Sequence, residues 1–150
     1  MNEKITVALG CDHGGYEVKE MIRDYLTEKG FVCQDFGCHS TESCDYPVFA
    51  KAAAQAVGEG KCRFGVVVCT TGIGVSMCAN KVKGVRCALC HDSFSAQMTR
   101  RHNDANMLAL GAGITGPKLI REILGAFFST EFEGGRHQRR VDEMMAIEQG

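Results

Sequence analysis

Five short apolar runs alternate along the chain with longer segments in which apolar residues recur at helical spacing. The runs cover residues 5–9, 31–36, 64–69, 85–90 and 107–110. Their nearly continuous apolar character is typical of strands covered on both faces. Strands that alternate with helices through short connections form a parallel sheet with helices on both sides. The pattern predicts an α/β fold, a Rossmann-like three-layer α/β/α sandwich with a five-stranded parallel sheet and a C-terminal helix.

The segments between the runs predict the helices. In the first, Val18, Ile22 and Leu26 share one face and Gly30 acts as the stop. Five more helices are predicted. The second covers residues 48–57 and stops at Gly58, the third runs from Gly72 toward Lys81, and the fourth covers residues 93–101. The fifth begins at Pro117, and the last contains Val141, Met144, Met145 and Ile147. Since no linker, repeat or low-complexity tract interrupts this order, we expect residues 1–150 to form a single domain.

Composition narrows the possible partners and the compartment. The net charge of the 150 residues is -1, so we expect neither nucleic acid nor a membrane as a partner, and any anion site must be local. The apolar runs are far too short to span a bilayer. A basic leader followed by an apolar stretch does not open the sequence, which favours a cytoplasmic location.

Nine cysteines are many for this length, but their number is odd and an export signal is lacking. We therefore interpret them as reduced thiols. Cys87, Cys90 and His91 have the spacing used for haem attachment. The simpler interpretation is a buried strand with cysteines as small apolar residues, because haem attachment would also require export. We expect no haem, zinc or other metal.

In parallel α/β sheets, ligands bind beyond the carboxyl ends of the strands. The unusual residues of this chain cluster there. They are residues 10–15 after the first strand, 37–40 and 45–47 after the second, and 69–76 after the third. This convergence places the site at the carboxyl edge of the sheet.

The segment from Cys69 to Ser76 is the most informative of these loops. A glycine-rich turn that opens a helix offers free backbone N–H groups and a positive dipole end, which together bind anions and favour a thiolate at Cys69. Such a thiolate suits a base that removes a carbon-bound proton while N–H groups stabilise the enediolate. The alternative is a nucleotide-phosphate loop. However, no Gly-Lys-Ser/Thr follows, and Val75 stands where a cysteine phosphatase would carry arginine.

Three further features have two interpretations each. Asp12 after the first strand is either a catalytic carboxylate or a helix cap. Arg136 and Arg140 share a helix face and could clamp a phosphate, although a solvated basic end is the simpler alternative. His102 lies in a polar turn before the fifth strand, as a proton shuttle or a cap. It stands roughly 17 Å from the carboxyl edge, so as a catalyst it would act in a neighbouring subunit's site.

Together these segments resemble the ribose-5-phosphate isomerase type B family, which also includes galactose-6-phosphate isomerase subunits and allose-6-phosphate isomerase. The matching elements are spread from the first strand to the final helix. They are residues 10–15, 45–47, 69–74, 79–81, 102–106 and 133–137.

The resemblance implies a cofactor-free aldose–ketose isomerase that works through a cis-enediol, as a homodimer or homotetramer with shared active sites and a sugar-phosphate substrate. It implies that Cys69 moves the proton between C1 and C2, and that His102 and Asp12 assist ring opening. Thr71 and the amides of Gly72, Gly74, Val75 and Ser76 would hold the enediolate. The sugar would be lined by Asp45, Tyr46 and Asn103, and the phosphate held by His13, Arg136 and Arg140.

Two positions depart from the family pattern. Thr70 replaces a glycine, and Gly113 stands where members commonly carry an arginine that helps to hold phosphate. Losing one charge-assisted contact to the phosphate costs about 1.5–3 kcal/mol of binding free energy. The sequence therefore leaves open which sugar phosphate is preferred. We expect interconversion of ribose 5-phosphate and ribulose 5-phosphate. The alternatives are a six-carbon sugar phosphate, a rare free aldose, or a non-catalytic module that binds a sugar phosphate or nucleotide.

Overall fold

The computed structural model describes residues 3–150. A five-stranded sheet lies at its centre in the order β2-β1-β3-β5-β4, and all neighbouring strands are parallel. The strands are β1 (Thr6–Cys11), β2 (Val32–Asp35), β3 (Phe64–Cys69), β4 (Cys87–Leu89) and β5 (Met107–Gly111). The predicted five-stranded parallel sheet is confirmed.

Helices cover both faces of the sheet. They are α1 (Tyr16–Glu28), α2 (Tyr46–Gly58), α3 (Ile73–Asn80), α4 (Ser93–Asn103), α5 (Pro117–Ser129) and α6 (Arg136–Ala146). One core contains Ile22 of α1, Ala96 of α4 and Ile123 of α5 beneath one face of the sheet. The other contains Ala53 of α2 and Val75 of α3 against the opposite face. The three-layer sandwich is therefore confirmed. Within residues 3–150, none of the helices is long and apolar enough to cross a membrane.

The structure corrects two predicted strands. β2 is shorter than predicted, and its residues alternate between exposed and half-buried because it is an edge strand. β4 covers only three residues at the other edge. Asn80 borders its outer side, where Nδ2 donates to the Cys87 carbonyl at 2.9 Å and Oδ1 accepts from the Cys87 amide at 2.8 Å. An asparagine side chain thus takes the place of a further strand.

The helix before β5 is also longer than predicted. α4 continues through Asn103 and ends at Asp104, whose φ of +46° is left-handed. Arg100 stabilises this end because Nη1 donates to Asp104 Oδ1 at 2.8 Å and to the Ala105 carbonyl at 2.7 Å. His102 therefore lies in the last helical turn rather than in a loop.

Candidate functional site

The carboxyl ends of β1 and β3 lie side by side at the centre of the sheet. After β1 the chain continues to β2 at one edge of the sheet. After β3 it continues to β4 and β5, which lie on the other side of β3. A crevice at such a switch point is the usual ligand site of this architecture. Asp12 follows β1, and its amide donates to the Val68 carbonyl at 3.2 Å. Because Cys69 is the last residue of β3, two of the predicted catalytic residues, Asp12 and Cys69, lie at the switch point.

Cys69 is held by the turn that follows it. Its Sγ accepts a hydrogen bond from the Gly72 amide at 3.1 Å, which stabilises negative charge on the sulfur. Gly72 has a φ of +78°, and an added Cβ would lie 2.6 Å from Leu89 Cδ1. Only glycine allows this left-handed, tightly packed turn, so Gly72 positions an amide rather than a side chain.

The first turn of α3 supplies the remaining amides. The Ile73 amide donates to Thr71 Oγ1 at 3.2 Å. The predicted contribution of Ser76 needs correction, because its amide donates to the Gly72 carbonyl at 3.1 Å and its hydroxyl to the Ile73 carbonyl at 2.7 Å. Ser76 therefore stabilises the turn. Gly74 and Val75 stand in the first turn, where amides have no acceptor within the helix.

The turn after β1 contains the next two predicted residues. Asp12 is buried, and its Oδ1 accepts from the Gly15 amide at 3.1 Å. The capping interpretation is thus confirmed, and it fixes the carboxylate beside the crevice. His13 is exposed, and its Nδ1 accepts the Cys44 amide at 3.2 Å. In the neutral ring the proton is therefore on Nε2, which can donate to an anion.

Asp45 and Tyr46 reach the same loop from the start of α2. The Tyr46 ring packs on Gly74, where an added Cβ would lie 2.6 Å from Tyr46 Cε1. The exposed Asp45 carboxylate does not cap α2 and is available to a ligand. Cys11 also lies nearby, but burial and then the neighbouring Cys38 raise the pKa of its thiol, which makes it unsuited as a base. We call this set the carboxyl-edge group: Asp12, His13, Asp45, Tyr46 and residues 69–76.

A second group of polar side chains lies at the amino edge of the sheet. His102 stacks on His137 with ring centroids 4.3 Å apart and planes inclined by 13°. Glu133 Oε1 lies 3.4 Å from His137 Nε2 and 3.9 Å from His102 Nε2. The Glu133 amide donates to the Arg101 carbonyl at 3.1 Å, which joins the start of α6 to the end of α4. The amino-edge group comprises His102, Asn103, Glu133, Arg136, His137 and Arg140.

His137 is the functional candidate that sequence reasoning missed. Its ring is buried against His102. Burial lowers the pKa of His137, and the neighbouring His102 and Arg136 lower it further. The signal in the sequence was its position four residues after Glu133, which places both side chains on one side of the turn into α6.

His102, Glu133 and His137 form the one group of three potential metal ligands found within residues 3–150, with ligand atoms within 4.8 Å of one another. The group does not fit a metal ion. Because the two rings are nearly parallel, their in-plane lone pairs do not converge on one point. Arg136 and Arg140 also place positive charge beside His137. That the protein works without a metal stays a prediction.

The structure does not bring the two groups together within one chain. Cys69 pairs with Gly111 at the carboxyl end of β5, whereas His102 and Asn103 precede Met107, where β5 begins. At about 3.3 Å per residue, the strand keeps the two groups at opposite edges of the sheet. The residues expected to act together therefore form two separate groups, which we call half-sites on the hypothesis that each supplies part of one active site.

Known proteins resemble this chain over nearly its whole length. A model of the family described as Ribose/Galactose Isomerase matches residues 7–144. The chain is 43% identical over 143 residues to ribose-5-phosphate isomerase B of Escherichia coli, covering 95% of this chain and 96% of that protein. It is 42% identical over 141 residues to D-erythrulose-4-phosphate isomerase of Pectobacterium atrosepticum, covering 93% of each.

A solved structure of ribose-5-phosphate isomerase B from Clostridium thermocellum matches with a TM-score of 0.95 and 46% identity, covering 97% of this chain and 98% of that chain. The likeness thus extends over both half-sites and the sheet between them. The resemblance inferred from the motifs is confirmed, and the chain belongs to the ribose/galactose isomerase family.

Proposed function

We propose that the protein is an aldose–ketose isomerase that interconverts ribose 5-phosphate and ribulose 5-phosphate through a cis-enediolate. The observation that carries this proposal is the Cys69 sulfur, which accepts the Gly72 amide at 3.1 Å beside the buried Asp12 carboxylate. Family membership and the relatives named ribose-5-phosphate isomerase B support the same substrate. Reduced thiols favour a cytoplasmic location.

The proton moves between two neighbouring carbons of the open-chain sugar. The Cys69 thiolate removes the C2 proton, and the C1 carbonyl oxygen takes up the negative charge. The resulting thiol returns the proton to C1, while the O2 hydroxyl proton passes to O1. The product is the 2-ketose, and cysteine returns as the thiolate. A positioned base of this kind contributes roughly a hundred- to ten-thousandfold to the rate.

The head of α3 stabilises the charge on the enediolate. The amides of Gly74 and Val75 have no acceptor within the helix and carry the positive end of its dipole. Thr71 Oγ1 accepts the Ile73 amide, so the hydroxyl proton of Thr71 is free to donate to a ligand oxygen. Preorganised donors of this kind are worth most where charge develops in the transition state.

The remaining roles require a second copy of the chain. His102 and Arg136 stand at the amino edge and serve the carboxyl-edge group of a partner in a homodimer or homotetramer. Supporting this assembly, Tyr46 and Ile73 of the carboxyl-edge group are 40% and 46% exposed, and the nearby Met77 is 62% exposed. Apolar side chains grouped in this way mark an interaction surface.

In this assembly the partner's amino-edge group completes the site. The partner's His102 and the resident Asp12 open the sugar ring, and the partner's Asn103 lines the sugar together with Asp45 and Tyr46. The phosphate is held by His13 Nε2 and by two arginines of the partner, Arg136 and Arg140. The forked guanidinium groups bind phosphate oxygens in pairs.

A second candidate is a four-carbon sugar phosphate. The relative named D-erythrulose-4-phosphate isomerase is 42% identical to this chain, against 43% for the ribose-5-phosphate isomerase B. Identity alone does not separate the two substrates. Measurement of kcat/KM for four-, five- and six-carbon aldose phosphates ranks them, and we expect ribose 5-phosphate to have the highest value.

The Cys69→Ala variant tests the chemistry. We expect kcat to fall at least a hundredfold, or about the contribution of a general base, while the Kd for ribose 5-phosphate measured by calorimetry changes little. The matched control is Cys78→Ala, which alters a half-buried thiol in α3 and leaves the turn between Cys69 and α3 unchanged. Unchanged turnover in Cys69→Ala would exclude Cys69 as the base.

A wild-type protein that binds sugar phosphates without isomerising them would favour the non-catalytic module.

A further inference from the structure

The residue after Cys69 places its side chain in a narrow gap between two loops. Thr70 Oγ1 lies 2.4 Å from the position that a Cβ on Gly14 would take, in the turn after β1. Thr70 Cγ2 lies 2.8 Å from the corresponding position on Gly113, in the loop after β5. Real Cβ atoms do not approach other heavy atoms so closely, so the gap accommodates Thr70 because both neighbours are glycines.

Thr70 cannot move aside easily. Its carbonyl accepts the Gly113 amide at 2.8 Å, and the Cys69 carbonyl accepts the Ala112 amide at 2.9 Å. In the observed rotamer the two γ atoms fill both positions at once, and branching at Cβ restricts χ1. A side chain on residue 70 and one on residue 113 therefore compete for one space.

The hydroxyl and the methyl group of Thr70 have different neighbours. The Cβ position on Gly14 also lies 3.4 Å from Asp12 Oδ1, so the Thr70 hydroxyl and the Asp12 carboxylate border the same space. The methyl group faces the loop after β5. Thr70 is exposed, and it lies between the Cys69 backbone and the turn that carries His13.

We propose that Thr70 is a specificity-determining residue that limits the length of the sugar phosphate. Its methyl group fills the space toward Gly113 that a longer sugar would need, and its hydroxyl hydrogen-bonds a sugar hydroxyl beside Asp12. This inference rests on the proposed isomerase function. It adds that the chain length accepted by the site is set next to the catalytic sulfur.

Two conservative variants separate the methyl group from the hydroxyl. Thr70→Ser removes only the methyl group. We compare kcat/KM for allose 6-phosphate with kcat/KM for ribose 5-phosphate, and we expect the ratio of the first to the second to rise about tenfold. One methyl-sized group provides about this much discrimination. Thr70→Val keeps the volume. We expect it to leave this ratio within about twofold while lowering both kcat/KM values roughly two- to tenfold, through loss of one hydrogen bond.

These measurements separate failure of the inference from failure of the proposed function. If the wild-type protein isomerises ribose 5-phosphate and Thr70→Ser keeps the wild-type ratio, the length limit lies elsewhere and the isomerase function stands. If Thr70→Val raises the ratio as much as Thr70→Ser, the methyl group is not the limiting element. If the wild-type protein isomerises none of these sugars, the proposed function itself fails.

A second experiment tests the steric exclusion without a substrate. Gly113→Ala should lower Tm by roughly 4 °C or more, as overpacking does in a chain of this size. The matched control is Gly116→Ala in the same loop, because an added Cβ there has no neighbour within 4 Å among residues 3–150. In a Thr70→Gly background, the cost of Gly113→Ala should fall toward that of the control, with a remainder because the added Cβ still lies 3.2 Å from the carbonyl oxygen of residue 70. Equal Tm values for Gly113→Ala and Gly116→Ala in the wild-type background would overturn the exclusion.

Discussion

At the scale of single residues, the amino-edge group shows how burial sets the charge of a histidine. His137 is 7% exposed, stacks on the His102 ring and contacts the Glu133 carboxylate. Burial lowers the pKa of His137, with further lowering by His102 and Arg136. The lowered pKa favours the neutral form of the His137 ring where it stacks on His102.

This shift predicts how stability depends on pH. Because the pKa of His137 is lowered on folding, the folded chain binds fewer protons than the unfolded chain once the pH falls to the ordinary histidine value of 6.5. Its contribution is therefore complete above that value and is lost as the pH falls from that value through the lowered pKa of the folded chain. We expect the drop in Tm between pH 7.5 and 5.5 to be smaller in His137→Asn than in the wild type.

The exposed His91 provides the control, since His91→Asn also removes one histidine. We expect the pH dependence of Tm to be weaker in His137→Asn than in this variant. An equal pH dependence in all three proteins would show that His137 does not contribute.

At the scale of elements, a buried ion pair joins α1 to the end of β2. Lys19 is fully buried, and its Nζ donates to Asp35 Oδ1 and Oδ2 at 2.8 and 2.7 Å and to the Cys38 carbonyl at 2.6 Å. The Cys38 amide in turn donates to the Cys11 carbonyl at 2.9 Å. One ammonium group thus organises the loop after β2, next to the turn that carries Asp12.

Removal of this ammonium group should be costly. We expect Lys19→Met to lower the free energy of unfolding by about 3 kcal/mol, the lower part of the range for a broken buried pair, because Arg23 Nη1 remains 3.5 Å from Asp35. Urea denaturation followed by circular dichroism measures the change. Lys51→Met alters an exposed lysine of α2 and should change the stability by less than about 0.5 kcal/mol. Similar losses in both variants would mean that the pair adds no net stability.

At the scale of the whole molecule, the two half-sites at opposite edges of the sheet predict complementation between subunits. Cys69→Ala and His102→Ala should each be inactive, because each destroys one component of every site. In a mixed dimer, one of the two sites contains an intact Cys69 and an intact partner His102. An equimolar mixture that has exchanged subunits should therefore regain about a quarter of the wild-type activity, on the proposed catalytic roles. No recovery after exchange confirmed by mass spectrometry would contradict a shared site.

The local pattern of apolar residues predicted where the strands and helices occur, but it did not predict their exposure or their exact lengths. β3 has the predicted bounds because all six of its residues are buried at the centre of the sheet. The exposure of β2 was mispredicted, because strand order is a long-range property that residues 31–36 do not encode. The length of α4 was underestimated because its polar last turn is stabilised from outside the helix, by Arg100 contacts to Ala105 and Thr130.

The candidate site was predictable to a similar extent. The glycine-rich turn after Cys69 indicated an anion site from local sequence, and the structure places a free sulfur and first-turn amides there. The separation of His102 from Cys69 followed from strand direction alone. The stacking of His137 on His102 was not predictable, because it depends on how α6 returns to the end of α4.

The gap between Gly14 and Gly113 has a consequence for the order in which mutations can accumulate. A lineage that acquires a larger residue at position 113 while Thr70 is present passes through an overpacked intermediate, because the two side chains overlap. Loss of the Thr70 side chain first leaves an open space and removes that barrier. In either direction of evolution, the side chain present at position 70 or 113 must therefore be lost before a side chain is gained at the other position.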